Sequence, residues 1–255
     1  MNKNWRFVYQ DNQFNGECLP CTLAVFNSII DSAQVAWKIT TRQDVDHAIA
    51  EGLPLERWTL RSDFQYFCRK EESKPRAGEK FKQKSTAEKL LQWTNSLKMS
   101  LPCFIFGASS FDLFPVTDKL NNPVLNEKGE QVMIRRRLLE GIHLSGLFMF
   151  DGDHLPMDPR EVYERTQVPG FPWEIPFAHI TSSAHGLRLV VEAKLGYGNI
   201  ADQQIQLARD LGLMGIIGTT GKPVVDDSCI DASRISYACR RQDILHIDEK
   251  KLFNF

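Results

Sequence analysis

The amino-acid sequence predicts an α/β protein of the α+β type, and three observations support this fold class. Short apolar runs bounded by glycine, such as Gly146–Phe150, are typical of buried strands. Capping signals followed by apolar residues at helical spacing, as at Ser85–Glu88, predict helices between these strands. A hydrophobic content of 42% and a charged content of 25% are ordinary for a globular chain, and 255 residues suffice for one large domain or two closely packed lobes.

The charge balance gives no general indication of a nucleic-acid partner. The chain has 31 Lys and Arg against 32 Asp and Glu, a net charge of -1, so a polyanion would have to be bound by a local patch. The sequence contains no secretion signal and no run of about eighteen apolar residues, so we expect a cytoplasmic protein with no membrane partner. The six cysteines are scattered, and although Cys18 and Cys21 have half the spacing of a zinc site, buried thiols are favoured.

Residues 1–100 are predicted to form an N-terminal α/β lobe. The predicted elements are a strand over Trp5–Tyr9 and helices over Thr41–Ala50, Asp63–Arg69 with Ser62 as its cap, and Ser85–Lys98. The stretch Arg69–Lys89 contains eight basic and four acidic residues together with proline and glycine. It is predicted to be a basic loop, which is either a solvated mobile surface or a phosphate contact.

Residues 101–255 form the second predicted unit, packed closely against the first. It begins with strands over Leu101–Gly107 and Gln131–Leu139, joined by a polar loop over Lys119–Glu130. The second strand carries Arg135–Arg137, and alternation should turn at least one of these arginines toward a cleft shared with an acidic strand.

The rest of this unit is predicted to run strand, helix, strand, strand, helix, strand. Asp158 and Pro159 together form a strong helix start. The remaining predicted elements are strands over Phe177–Ser182 and Leu187–Ala193, an amphipathic helix over Asn199–Leu213 with Ile200, Ile205, Leu207, Ala208 and Leu211 inward, and extended segments over Pro223–Asp227 and Arg234–Ala238.

Two carboxylates, Asp151 and Asp153, follow the apolar strand Gly146–Phe150. Alternation along a strand places them on the same face, at the carboxyl-terminal end of the strand. Two anions side by side repel each other, and a divalent cation between them would remove that repulsion. Asp-Gly is also a favoured turn dipeptide, so the pattern alone leaves open a hairpin turn at Asp151-Gly152.

Two further polar signals stand at predicted strand ends. Ser183 and His185 lie among small residues that would let the backbone approach a ligand, and both side chains could donate to a phosphate. Asp226 and Asp227 follow an apolar run, with Arg234 shortly after them. Three acids for two metal ions, a Ser/His pair and an arginine would together form a nucleotidyl-transfer site. The alternatives are a surface role for His185 and a plain ion pair for Arg234.

In their order along the chain, these motifs resemble those of the archaeo-eukaryotic primase superfamily of primase-polymerases. That family is marked by an apolar strand ending in Asp-x-Asp/Glu, then Ser-x-His, then an apolar residue and Asp. Here the three motifs are Phe150-Asp-Gly-Asp153, Ser183-Ala-His185 and Val225-Asp226, and Arg234 resembles an arginine that follows the third motif.

The chain is more similar still to the primase-like domains of bacterial plasmid and mobile-element replication proteins. In these domains a Leu-Pro strand like Leu101–Phe106 and a Ser-Gly-apolar strand like Ser145–Phe150 precede the first motif. The second motif departs from the common pattern, because Ser182 and Ala184 stand where glycines are usual.

The resemblance implies a DNA primase or polymerase that carries out template-directed nucleotidyl transfer by a two-metal mechanism. It also implies a two-layer catalytic module over residues 101–255 with an RRM-like mixed sheet, flanked by the lobe of residues 1–100. Asp151, Asp153 and Asp226 would be catalytic and would hold two Mg²⁺ or Mn²⁺ ions; Ser183, His185 and Arg234 would bind the nucleotide. The implied partners are nucleoside triphosphates, a single-stranded DNA template or primer-template, and a helicase domain or protein.

Several alternatives stay open on the sequence alone. Asp227 could replace Asp226 as the third metal ligand. The chain could be an inactive nucleic-acid-binding replication module, or a haloacid-dehalogenase-like phosphatase. The phosphatase is disfavoured because Leu155 stands where that family usually has Thr or Val. De novo priming versus extension, and ribonucleotide versus deoxynucleotide preference, are also open.

Overall fold

The computed structural model describes residues 5–14, 16–225 and 231–253, and it has the α+β architecture that the sequence predicts. The helices of these residues are α1 (Leu23–Ile30), α2 (Ala33–Ala50), α3 (Glu56–Thr59), α4 (Ser62–Glu72), α5 (Ala77–Lys82), α6 (Thr86–Met99), α7 (Pro159–Glu164), α8 (Ile200–Asp210) and α9 (Glu249–Phe253). The strands are β1 (Val8–Gln10), β2 (Leu19–Pro20), β3 (Cys103–Ile105), β4 (Ala108–Phe111), β5 (Leu113–Pro115), β6 (Met133–Arg135), β7 (Ile142–Leu144), β8 (Leu147–Gly152), β9 (Phe177–Ile180), β10 (Leu187–Glu192), β11 (Ser236–Tyr237) and β12 (Ile244–Ile247).

Two four-stranded sheets form the centre of the described structure. The first sheet has the order β11-β3-β1-β2, and the second has the order β12-β9-β10-β8. Every described pairing in both sheets is antiparallel, which differs from the mixed sheet that the resemblance implied. The short connection between β9 and β10 explains part of this difference, because a tight turn can only join antiparallel neighbours.

The chain forms the second sheet and its helices in the predicted order, which is β8, α7, β9, β10 and α8. Its last strand is β12, whereas the predicted segment Arg234–Ala238 contributes β11 to the first sheet. Asp158 caps α7 with Pro159 at its first turn, as predicted, and Asn199 caps α8 in a capping box with Asp202.

One face of the second sheet packs against α7 and α8. The apolar side chains of this layer include Phe148, Phe150, Leu189 and Val191 from the sheet and Val162, Leu207, Ala208 and Leu211 from the helical side. The prediction that Ile205 faces inward is wrong, because its side chain is 42% exposed. Gln204 is buried on that helix instead, and its amide donates to the Met149 carbonyl (2.9 Å).

The other face of the second sheet packs against the first sheet through an aromatic core. The Phe177 ring of β9 lies 5.4 Å from the Phe26 ring and 5.7 Å from the Phe106 ring, between centroids. Phe7 and Phe253 belong to the same cluster. The core therefore contains residues from both sides of the predicted boundary at residue 100.

The helices α2 to α6 form a layer with its own apolar cluster around Trp58, Leu90 and Trp93. The capping box of Ser85 and Glu88 starts α6 as predicted. The prediction of Ser62 as a cap is wrong, because Ser62 is the first helical residue and Arg61 occupies the cap position without a side-chain bond.

The stretch Arg69–Lys89 is mostly helical, so its prediction as a loop is wrong. It contains the end of α4, all of α5 and the start of α6. The Phe81 ring of α5 packs edge-on against the Phe67 ring of α4 at 5.9 Å between centroids, and this contact holds the charged segment against the helical layer.

The predicted strands over Leu101–Gly107 and Gln131–Leu139 are shorter than expected, and they do not pair with each other. The first contains β3, which pairs with β1 and β11, and the second contains β6, which pairs with β5. Cys18 and Cys21 are buried as predicted, and burial raises the pKa of Cys18 to about 12. Among the helices of the described residues, none combines the length and apolarity needed to cross a bilayer.

Candidate active site

A row of polar residues crosses three strands of the second sheet, on the face toward the first sheet. In the strand register, Arg188 of β10 lies between Asp151 of β8 and His179 of β9. The adjacent row on that face is apolar and comprises Met149, Val190 and Phe177. The face thus changes from core to polar site within two residues on each of three strands.

Asp151 is 3% exposed and forms a buried ion pair with Arg188, whose Nη2 donates to its Oδ2. The other oxygen, Oδ1, is buried and has no hydrogen-bond partner among the described residues. A buried carboxylate oxygen without a donor is unfavourable unless a ligand satisfies it. Asp151 therefore has one oxygen engaged by the protein and one available to a cation.

His179 links this row to the first sheet. Its Nδ1 lies 2.9 Å from the Ile180 carbonyl and its Nε2 3.3 Å from Ser236 Oγ of β11, which also accepts from Arg188 Nη1 at 3.3 Å. A carbonyl can only accept, so Nδ1 carries the proton and Nε2 accepts from the serine hydroxyl. Burial and, secondarily, the charge of Arg188 lower the pKa of His179 to about 4, so the ring is neutral.

Asp153 follows β8 directly, and its backbone N–H donates to the Val224 carbonyl (2.8 Å). Burial and the neighbouring charge of Asp151 raise the pKa of Asp153, and Arg188 and Lys98 oppose the rise. Asp151 and Gly152 both lie inside β8, so the alternative of an Asp-Gly hairpin turn is wrong. Gly152 forms an antiparallel bridge with Val225, the residue before Asp226.

Asp151 and Asp153 line a cavity of about 390 Å³, here called the central cavity. Among the described residues, its positively charged lining residues are Arg42, Lys98, Arg137, Arg188 and Arg234. Against the two carboxylates this leaves an excess of three positive charges. The hydroxyls of Thr181, Ser182 and Ser183 also line the cavity, as does the Tyr237 side chain.

The structure brings four of the six predicted site residues together, since Asp151, Asp153, Ser183 and Arg234 all line the central cavity. Ser183 Oγ lies 3.0 Å from Thr181 Oγ1, at the end of β9. Asp226, the predicted third acid, lies outside the described residues, as does its alternative Asp227.

His185, the sixth predicted residue, does not line the central cavity. It is exposed and lines a separate depression with Leu155 and Arg160. The reason is the turn at Ala184, whose φ of 65° reverses the chain between Ser183 and His185. Burial raises the pKa of Asp46 in α2, and Arg42 and His185 oppose this rise.

Arg137 lines the central cavity, as predicted for at least one residue of Arg135–Arg137. Its Nη1 donates to the Ser233 carbonyl (3.4 Å). The prediction explained this placement by a shared cleft between adjacent strands, and that explanation is wrong, because β6 pairs with β5 and not with the acidic strand β8.

Several charged or polar residues of the site were missed by sequence reasoning, among them four that contribute charges or an imidazole. These residues are Arg42, Lys98, His179 and Arg188. A single arginine inside the apolar run Leu187–Val191 is the signal that could have identified Arg188. Arg42 and Lys98 carry no such signal, because the packing of α2 and α6 brings them to the cavity.

The chemistry of the donor groups in the site suits a divalent cation. Within the described ranges, no group of three or more His, Cys, Asp or Glu side chains is placed to hold a metal ion. Asp151 and Asp153 supply two carboxylates, the ligand type that Mg²⁺ and Mn²⁺ prefer, and Asp151 Oδ1 is a buried oxygen without a donor.

The fold and the site together define a polar, cation-rich cavity beside an acid pair, at the junction of two antiparallel sheets and a helical layer. Such a cavity suits a phosphate-bearing ligand next to a divalent cation. Comparison of the chain with protein-family models, curated proteins and solved structures gives no match.

Proposed function

We propose that the protein is a metal-dependent nucleotidyltransferase of the primase-polymerase type. The observation that supports this most is the convergence of Asp151, Asp153, Ser183 and Arg234 on one cavity. Asp151 and Asp153 belong to the first motif, Ser183 belongs to the second, and Arg234 follows the third, so the four residues span more than eighty positions of the sequence. A chance arrangement of surface turns would not require them to meet.

Asp151 and Asp153 would hold the metal through carboxylate oxygens, beginning with the unpaired Oδ1 of Asp151. We assign Asp226 as the third ligand because it directly follows Val225, which bridges to Gly152 between the two acids. Two bound Mg²⁺ or Mn²⁺ ions would supply activation of the primer-end hydroxyl and neutralisation of the leaving pyrophosphate.

Ser183 and Arg234 would bind the phosphates of the incoming nucleotide, since both face the cavity. Arg137, which also lines the cavity, is a candidate contact for the template backbone. We propose nucleoside triphosphates and single-stranded DNA or primer-template as partners, with a helicase, in replication of a plasmid or mobile element in the cytoplasm.

Incorporation of labelled nucleotides on a primed and an unprimed DNA template tests the proposal. The unsubstituted chain with Mg²⁺ or Mn²⁺ should incorporate nucleotides in the order that the template dictates. Asp153→Asn should lower incorporation by about a hundredfold or more, and so should Asp151→Asn. The matched control is Asp112→Asn, an exposed acid outside the cavity that should leave incorporation unchanged.

Misfolding would not explain the loss in Asp153→Asn. Burial beside Asp151 raises the pKa of Asp153, so a neutral side chain there should leave the protein at least as stable at pH 7. Undiminished incorporation in Asp153→Asn, or no templated incorporation by the unsubstituted chain, would contradict the proposal.

A second candidate is a nucleic-acid-binding replication module without catalysis. The buried ion pair between Arg188 and Asp151 favours it, because the arginine already neutralises one of the two acids. Nucleotide affinity separates the two candidates. A nucleotidyltransferase should bind nucleoside triphosphate more tightly when Mn²⁺ is added, whereas the affinity of a binding module should not change.

A further inference from the structure

Two cations of the central cavity, Arg42 and Lys98, come from the helical layer rather than from the sheets. Arg42 lies in α2 and Lys98 in α6, two helices that pack against each other. Both side chains line the same cavity as Asp151 and Asp153. None of the predicted motifs contains either residue.

Arg42 has donors that the described protein does not satisfy. Its Nε lies 3.7 Å from Asp46 Oδ2, which is too long for a hydrogen bond. Its Nε and Nη1 are both buried and have no hydrogen-bond partner among the described residues. Buried guanidinium donors without an acceptor are unfavourable, and an anionic ligand in the cavity would satisfy them.

Lys98 is held in place by an aromatic ring. Its Nζ lies 5.1 Å from the centroid of the Tyr237 ring, which also lines the cavity. Burial lowers the pKa of Lys98, the charges of Arg42 and Arg188 lower it further, and the charges of Asp153 and Asp151 oppose this fall. The cations of the cavity therefore repel one another, and a bound polyanion would relieve that repulsion.

We propose that Arg42 and Lys98 bind the phosphate chain of the nucleotide, so that the helical layer supplies the main phosphate contact of the site. This inference rests on the proposed function and replaces the predicted role of His185, which lies outside the cavity. It assigns α2 and α6 to substrate binding.

The arrangement favours a compact polyanion over a nucleic-acid backbone. Five cationic side chains of the described residues are concentrated in one cavity of about 390 Å³ rather than spread along a groove. A cavity of this size lies in the range that holds a small ligand. Contact with a polymer backbone would instead need cations at intervals along an open surface.

The test measures binding of inorganic triphosphate to the full chain by calorimetry, with EDTA present and nucleic acid absent. Arg42→Gln and Lys98→Gln each remove one charge from the cavity and should each weaken binding about tenfold or more. The double variant combines Arg42→Gln with Lys98→Gln. Its matched control is Arg209→Gln with Lys128→Gln, which removes two exposed cations outside the cavity and should leave binding unchanged.

Charge-retaining variants separate lost contacts from misfolding, since Arg42→Lys and Lys98→Arg should keep most of the affinity. Unchanged triphosphate binding in the double cavity variant, or an equal loss in the control with Arg209→Gln and Lys128→Gln, would overturn the inference. So would weaker binding of an oligothymidylate with triphosphate binding intact, because that result would place both residues on the template.

Failure of the role proposed for Arg42 and Lys98 is distinguishable from failure of the proposed function. If the unsubstituted chain incorporates no nucleotide but the cavity variants lose triphosphate, only the nucleotidyl-transfer assignment fails. If the variants extend primers with an unaltered KM for the nucleotide, only the role of Arg42 and Lys98 is refuted.

Discussion

At the scale of single residues, the two oxygens of Asp151 have different surroundings. Oδ2 accepts from Arg188, while Oδ1 is buried and has no hydrogen-bond partner among residues 5–14, 16–225 and 231–253. A cation could therefore bind Asp151 without breaking the ion pair. The arginine would then fix the carboxylate orientation and moderate its charge, which is how a second layer of contacts tunes a metal ligand.

The sequence could predict the site residues whose placement depends on alternation along one strand. It could not predict those that meet only through the register between strands. Asp151 and Asp153 were predicted from their spacing after one apolar strand. Arg188 and His179 meet Asp151 only because β8, β10 and β9 pair in a particular register, which no local pattern specifies. The separation of His185 from the central cavity could not be predicted, because the sequence does not show the positive φ at Ala184.

His179 should make the stability of the protein fall on acidification. The pKa of His179 is about 4 in the folded state, below the ordinary value of 6.5 expected when unfolded. The unfolded state therefore takes up the proton first, so this contribution is complete above pH 6.5 and is lost as the pH falls toward 4. The shift corresponds to at most about 3 kcal/mol.

Urea unfolding at pH 7 and pH 4.5 tests this expectation. His179→Gln should lose less free energy of unfolding between the two pH values than the unsubstituted chain does. An identical loss in both proteins would show that His179 does not cause the acid sensitivity.

At the scale of elements, two of the three capping signals predicted helix starts correctly, because a cap involves only neighbouring residues, whereas the Ser62 signal was wrong by one residue. The capping box at Ser85 and the Asp158 cap are both present. Strand partners were not predictable in the same way. The pairing of β3 with β1 joins Cys103 to Gln10, and the pairing of β3 with β11 joins Cys103 to Tyr237. Such contacts depend on the whole fold.

The β9–β10 turn should tolerate no side chain at Gly186. A Cβ there would lie 2.6 Å from Thr181 Oγ1 and 3.0 Å from the Gly152 carbonyl oxygen, so the turn would have to move away from the end of β8. We expect Gly186→Ala to lower the free energy of unfolding by about 1–3 kcal/mol.

Gly152→Ala is the matched control, because its Cβ would approach no atom closer than 3.6 Å. Urea unfolding should show a clearly smaller effect for Gly152→Ala than for Gly186→Ala. Equal effects of the two substitutions would contradict the close approach of the turn to β8.

At the scale of the whole molecule, one aromatic core joins the two predicted units. Phe7 and Phe26 from residues 1–100 belong to the same cluster as Phe177 and Phe253. The central cavity lies beside this core and takes residues from α2, α6 and both four-stranded sheets. The geometry of the site therefore depends on the packing of the two units, and the sequence order of the motifs alone could not reveal the helical contribution.

Phe177→Ala should destabilise the protein as one cooperative unit. The side chain is fully buried, and its loss should lower the free energy of unfolding by about 3–5 kcal/mol. Leu195→Ala, at a fully exposed position, should change it little. Unfolding followed by tryptophan fluorescence and by far-ultraviolet circular dichroism should give one coincident transition. Two separate transitions in Phe177→Ala would contradict a shared core.

The central claim is that the acid pair binds a divalent cation although Arg188 contacts Asp151. Titration of Mn²⁺ followed by electron paramagnetic resonance measures this binding without requiring activity. The unsubstituted chain and Asp112→Asn should bind Mn²⁺ equally, and Asp153→Asn should bind it at least about tenfold more weakly, because a carboxylate ligand is lost. Equal Mn²⁺ affinity in Asp153→Asn and the unsubstituted chain would contradict the account.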